Sequence, residues 1–226
     1  MPTESGVGTA VPIKPGALAL LHTSPAHIPV FDALRDEAHQ GLGLRHFVAE
    51  ELLARARDEG PEAVAGAVRE ALDLAVAEGA RAVLCTCSTI GEVAERADAG
   101  VPVLRVDRPM AAAAVAAGPR VVVIATVEST LAPTVALVEE EARRAGRPVD
   151  VRTLLVEDAW ARFEAGDPDG YARAVAEAAD TVTDADAIVL AQASMAPAEH
   201  LTTTSIPVLS SPRPGLAAGA KAVRER

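Results

Sequence analysis

Aromatic side chains are the scarcest feature of this 226-residue chain: Phe, Tyr and Trp together make up 2% of it. So sparse a set offers no stacking platform for nucleobases. Cysteine is equally thin. Cys85 and Cys87 are the two present, and two residues so close along a strand cannot readily close a disulfide on each other, so the cytoplasm is the expected compartment. Positive charge is in deficit, with 21 Lys and Arg against 32 Asp and Glu and a net charge of -11. Long-range repulsion therefore opposes a phosphate backbone or an anionic membrane surface as the main partner. No apolar run is long enough to cross a bilayer. The opening MPTESGVGTAVPIKPG lacks a basic region followed by a long apolar run, so residues 1–15 read as a ragged terminus and not a signal peptide. Gly6 to Gly8 is no phosphate loop, since no strand precedes it and no Gly-Lys-Ser/Thr follows.

What the chain has in quantity is apolar residues, half of the total and many of them alanine, which suits short helices packed closely on sheets. Strand-like runs at Gly16–Thr23, Leu44–Val48, Ala82–Cys85 and Val101–Val106 alternate with helical patterns, the longest opening at Pro61 and closing near Gly79. The pattern then restarts: strands at Val121–Ala125, Val149–Val156, Ala187–Leu190 and Pro207–Leu209 alternate with helices at Leu131–Ala145 and Tyr171–Thr183. Such alternation predicts an α/β fold with parallel sheets covered by helices, and ligand groups at the carboxyl ends of strands.

The second half also repeats the first. Ala67-Val68, Glu70-Ala71 and Asp73 before Val83-Leu84 match Ala174-Val175, Glu177-Ala178 and Asp180 before Val189-Leu190, and Pro102-Val103-Leu104 with Arg108-Pro109 matches Pro207-Val208-Leu209 with Arg213-Pro214. Two pseudo-symmetric lobes are expected, residues 16–118 and 119–226, with the C-terminal helix free to pack back on the first lobe and the active site in the cleft between them. On this alignment Thr23 and Cys87 correspond to Thr126 and Ala193.

Cys87 ends a buried strand and enters a helix running to about Ala97, where helix-start amides stabilise negative charge and so favour a thiolate. Ser88 and Thr89 add hydroxyl donors for a carboxylate. Cys85, inside the apolar run, is expected simply to pack. No closely spaced Cys or His pair completes a metal site around the two thiols. Gln192 and Ser194 follow a buried strand of the second half, where polar groups need partners, either substrate oxygen or local backbone. His46, Asp107 and His200 read as structural or surface residues, Asp107 through a pair with Arg108 or a helix cap.

Cys87-Ser88-Thr89 is similar to the Cys-Asn/Ser-Thr motif of the aspartate, glutamate and hydantoin racemases, and Ala125-Thr126 with Ser129-Thr130 resembles that family's Ala-Thr-x-x-Ser/Thr carboxylate loop. The strand-helix order extends the resemblance over nearly the whole chain. It implies an isomerase without metal or other cofactor, in which two thiols on opposite faces of a small carboxylate's α-carbon remove and return a proton. Carried over by motif, Cys87 is the acid/base of the first lobe, and Ser88, Thr89, Thr126, Ser129 and Thr130 hold the carboxylate. The second cysteine is missing, Ala193 standing in its place. The resemblance therefore leaves open racemisation with another second group, His22 being the candidate, or decarboxylation with one-sided protonation, as in arylmalonate decarboxylases, which keep a single cysteine in the other lobe. A degenerate member that only binds a carboxylate is a third reading. Thr23 and Ser24, beside His22, are further candidate substrate contacts, and a homodimer is the assembly the resemblance implies.

Overall fold

The structure, a computed structural model, describes residues 17–225. The ragged terminus expected at 1–15 lies outside the described residues. Two four-stranded sheets organise the chain. The first contains β1 (Ala17–His22), β2 (Leu44–Val48), β3 (Ala80–Cys85) and β4 (Val103–Arg105) in the order β2-β1-β3-β4. The second contains β5 (Arg120–Ala125), β6 (Asp150–Leu155), β7 (Ala187–Leu190) and β8 (Val208–Leu209) in the order β6-β5-β7-β8. Every neighbouring pair is parallel. The central strands β1 and β7 are buried at every residue, because helices cover both faces and leave no solvent side to alternate with.

Backbone register fixes the relation between the lobes. Leu21 lies opposite Cys85 as Ile124 lies opposite Leu190, and Val83 lies opposite Val103 as Ile188 lies opposite Val208. The equivalent residues Cys85 and Leu190, Val83 and Ile188, Val103 and Val208 are each 105 apart. Thr23 and Thr126 do follow equivalent strand ends, but the counterpart of Cys87 is Gln192, one residue before the Ala193 expected from sequence. The error has a simple origin: apolar runs such as AVLC and AIVL match almost equally well one residue out of step, and only the ladder hydrogen bonds distinguish the two registers.

Around the first sheet lie α1 (Ile28–Ala38), α2 (Glu50–Glu59), α3 (Ala65–Ala77) and α4 (Ser88–Arg96); around the second, α6 (Leu131–Ala145), α7 (Ala159–Glu164) and α8 (Pro168–Asp180). Helix α8 begins three residues before the expected Tyr171, because Pro168 suits a first turn and the Asp167 carboxylate accepts from the Gly170 amide at 2.9 Å.

The last helix of each half crosses to the other sheet. Helix α5 (Arg108–Ala117) buries Met110, Ala114 and Val115 against Val121, Val123 and Val189 of the second lobe. Helix α9 (Pro212–Arg224) buries Leu216 and Val223 against Leu18, Leu20 and Leu84 of the first. Glycine permits that last contact: a Cβ on Gly215 would sit 2.5 Å from the Val106 carbonyl oxygen, and one on Gly219 2.7 Å from Leu18 Cδ2. The exchange ties the lobes together through hydrophobic burial. Ion pairs reinforce it. Arg108 of α5 reaches Glu95 of α4 and both Glu140 and Glu141 of α6, while Arg213 of α9 meets Glu37 of α1 at 2.9 Å. Asp107 pairs with neither Arg108 nor a helix amide; it takes a bidentate bond from Arg105 at 2.9 and 3.0 Å, both side chains being buried. Among the described residues no helix is long and apolar enough to cross a membrane.

Candidate active site

The carboxyl ends of β1, β3, β5 and β7 converge where the lobes meet, and the Ser88 hydroxyl spans the junction by donating to the Ala191 carbonyl at 3.1 Å. A cavity of about 70 Å³ lies there. From the first lobe it is lined by Thr23, Ser24, His27, Arg57, Cys87, Ser88 and Thr89, and from the second by Thr130, Trp160, Gln192, Ala193 and Ser194, among others.

Cys87 is 8% exposed and is the residue on which α4 starts, in extended backbone conformation. Its side chain makes no capping bond, so the first-turn amides of α4 are not claimed by the sulfur's own residue. The chain places it there because the buried strand must stop at Cys85 and the next turn, Thr86-Cys87, has to carry the backbone from sheet to helix. Cys85 is fully buried, and desolvation pushes its thiol far up in pKa. It is a packing residue.

Three polar groups at the site are left without a protein partner. The Thr89 hydroxyl and His27 Nδ1 are buried and unbonded, and both residues line the cavity. Gln192 supplies the third. Its Oε1 accepts from the Thr126 amide at 2.7 Å and the Thr126 hydroxyl at 3.1 Å, which orients the amide and leaves its Nε2 donors unused. The Thr126 hydroxyl in turn accepts from the Tyr171 hydroxyl at 3.2 Å, which accepts from Ser194 at 2.9 Å. This relay explains why Thr126, expected to touch substrate, does not line the cavity: it holds Gln192 in place. Ser194 reaches the cavity with its proton committed to Tyr171.

The remaining expected contacts divide. Thr23, Ser24, Ser88, Thr89 and Thr130 line the cavity. Ser24 Oγ accepts from the Ala26 amide at 3.3 Å, and Thr130 donates to the Val127 carbonyl at 2.7 Å. The Ser129 hydroxyl is buried without a partner but is outside the cavity lining.

The structure does not bring His22 to the cavity. It is fully buried, and both ring nitrogens are engaged, Nδ1 with Thr86 Oγ at 2.8 Å and Nε2 with His46 Nδ1 at 2.8 Å. Thr86 donates to the Leu21 carbonyl at 3.2 Å, so it accepts from His22 Nδ1–H, and His22 Nε2 then accepts from His46. Burial, followed by the nearby His27 and His46, pushes His22 down to about 3. Its bond to Thr86 braces the loop before Cys87.

Two residues of the site were missed by the sequence reading. His27 is presented by a short 3-10 turn (Pro25–His27) capped by Ser24, and burial lowers its pKa, keeping the ring neutral at pH 7. The Ser24-Pro25 start of that turn was the available signal. Arg57 of α2 lines the cavity and, among the described residues, its guanidinium has no ion pair or hydrogen bond. Nothing in the sequence separated it from its neighbour Arg55, which pairs with Glu59. Among the described residues no group of three or more His, Cys, Asp or Glu side chains is placed to hold a metal.

The twin parallel α/β lobes are a fold shared with solved racemases. An aspartate racemase from Picrophilus torridus shares this fold at a TM-score of 0.71 and 15% identity, over 92% of this chain and 95% of that one. A glutamate racemase from Francisella tularensis, solved in complex with D-glutamate, shares it at 0.69 and 10% identity over 93% and 82%. An allantoin racemase from Pseudomonas fluorescens does so at 0.53 and 19% identity over 92% and 91%. No curated protein sequence matches the chain. The family model Asp/Glu/Hydantoin racemase matches residues 30–218, and the chain belongs to that family.

Proposed function

We propose that this racemase-family enzyme moves a proton at the carbon α to a carboxylate, without a cofactor, and that Cys87 is its acid/base in the first lobe. The observation that carries the proposal is the position of Cys87 at the start of α4, on a cavity bordered by unpartnered donors from both lobes. A carboxylate in that cavity finds the α4 amides, the Thr89 hydroxyl, Gln192 Nε2 and the Arg57 charge. Those same donors stabilise the enediolate that forms when the α-proton leaves, because the second negative charge develops on the carboxylate oxygens.

Apart from Arg57, the titratable residues on the cavity are Cys87 and His27. His27 is the group we assign to the role left vacant by the second thiol. With His27 neutral and Cys87 protonated, the imidazole removes the proton from one enantiomer and the thiol delivers its own to the other face. The resulting thiolate and imidazolium reset by exchange with solvent, and the reverse direction uses the same two groups.

One observation favours a second reading. Gln192, at the position equivalent to Cys87, carries no proton-transfer chemistry. A decarboxylase needs only the Cys87 proton, delivered to the enediolate after carbon dioxide leaves. Proton NMR in heavy water separates these readings across small 2-amino, 2-hydroxy and 2-alkyl carboxylates and malonates. Racemisation labels both enantiomers at the α-carbon, decarboxylation releases carbon dioxide and labels one face, and Cys87→Ala abolishes either. Unchanged turnover in Cys87→Ala refutes the proposal.

A further inference from the structure

The thiol cavity is too small for the substrate it implies. Its volume of about 70 Å³ equals roughly two waters at ~30 Å³ each, whereas ligand sites run from about 300 to 1,000 Å³. A second cavity of about 740 Å³ lies against it. The two share His27, Phe163, Ala193 and Ser194, so they adjoin at these residues. Ala193 is the smallest of these, and a bulkier residue at that position would narrow the junction.

The larger cavity differs in chemistry from the thiol cavity. Val30 and Leu34 of α1, Met110 of α5, Leu209 of β8 and Pro212 of α9 give it apolar walls. Its charged side chains are already committed: Glu199 accepts from Ser210 at 2.6 Å, and Arg213 pairs with Glu37 at 2.9 Å. Among the described residues a second anionic group finds no free Arg or Lys there, while an apolar chain finds matching surface. At the other end the unpaired Arg57 and the α4 amides complement a carboxylate.

We infer that the substrate is a carboxylate bearing an extended apolar substituent, with its carboxylate and α-carbon at Cys87 and the substituent lying past Ala193 in the larger cavity. This rests on the reading of Cys87 as the reactive group. Filling a preformed apolar cavity tightens binding by about fourfold per buried methylene.

The test uses the full-length protein and follows protection of Cys87 from carboxymethylation by iodoacetate, read by mass spectrometry, with propanoate, hexanoate and decanoate as probes. The expected result is protection that tightens by about fourfold per methylene until the cavity is filled, and that flattens in Leu34→Gln or in Val30→Gln. Equal protection by all three probes overturns the inference and leaves the Cys87 reading intact. Flat protection with a dimer that Leu34→Gln dissociates assigns the larger cavity to a second copy of the chain, and also overturns it. If no carboxylate protects Cys87, the reading on which the inference rests falls as well.

Discussion

Cys87 and Gln192 occupy the same place in the two lobes: each stands two residues past the end of the third strand of its half, in extended conformation, at the start of the helical segment that follows. One contributes a thiol and the other an amide locked by Thr126. The pair is complementary and not duplicate, with a thiol on one side and an amide donor on the other; under the proposed function the thiol moves the proton.

That asymmetry makes Gln192→Glu informative. The carboxylate keeps the acceptor that Thr126 needs, so the fold survives, but it replaces the Nε2 donors with negative charge where a substrate carboxylate binds. We expect kcat/KM to fall by about 10²–10³ with thermal stability near that of the parent, measured by steady-state kinetics alongside calorimetry.

His27→Asn tests the second proton-transfer group. Conversion between enantiomers should fall by about 10²–10⁴, while exchange through Cys87 continues on one face. The pH profile gives an independent check. Because burial lowers the pKa of His27, the acid limb of kcat/KM should lie below pH 6.5 in the parent and vanish in the variant. A parent-like profile in His27→Asn contradicts the assignment.

Acid stability follows from His22. In the folded chain burial pushes its pKa down to about 3, against the ordinary histidine value of 6.5 in the unfolded chain. Between those values the unfolded state binds more protons, so stability is full above pH 6.5 and is lost as pH falls toward 3. At pH 5 the loss is about 2 kcal/mol, from ~1.4 kcal/mol per pH unit. Urea titrations at pH 7 and 5 should show it. His22→Asn should flatten the slope without abolishing it, since His27 is shifted in the same direction.

The buried Arg105–Asp107 pair lies beneath α4, with Gly91 leaving room for the guanidinium; a Cβ there would sit 3.0 Å from Arg105 Nε. Asp107→Ala strands a buried cation and should destabilise by about 3–5 kcal/mol. The double variant Arg105→Met/Asp107→Leu should regain most of it, as read by urea denaturation.

Much of this architecture was legible in the sequence because apolar runs and helical patterns alternate cleanly. Leu44–Val48, Leu131–Ala145 and Ala187–Leu190 fall where the pattern placed them. Cys87 was legible too, since a strand end entering a helix has a recognisable signature. Its counterpart was not, because one step of register moves the match from Gln192 to Ala193 and local composition cannot detect the step. Histidine misled for a related reason. His22 and His27 are five residues apart, and only the Ser24-capped turn decides that His22 faces inward to Thr86 and His46 while His27 borders the cavity. Arg57 depended on the pairing of neighbouring side chains, which emerges only once α2 is packed.

The central claim is that Cys87 is a reachable thiol in a site built for a carboxylate, and competitive labelling tests it most directly. Native protein is treated with iodoacetate or with neutral iodoacetamide, and the rate at each cysteine is followed by peptide mass spectrometry. The account predicts modification of Cys87 with Cys85 spared, faster labelling by the anionic reagent, and loss of that preference in Arg57→Ala. Labelling of Cys87 only after unfolding, or at the same rate as Cys85, would contradict it.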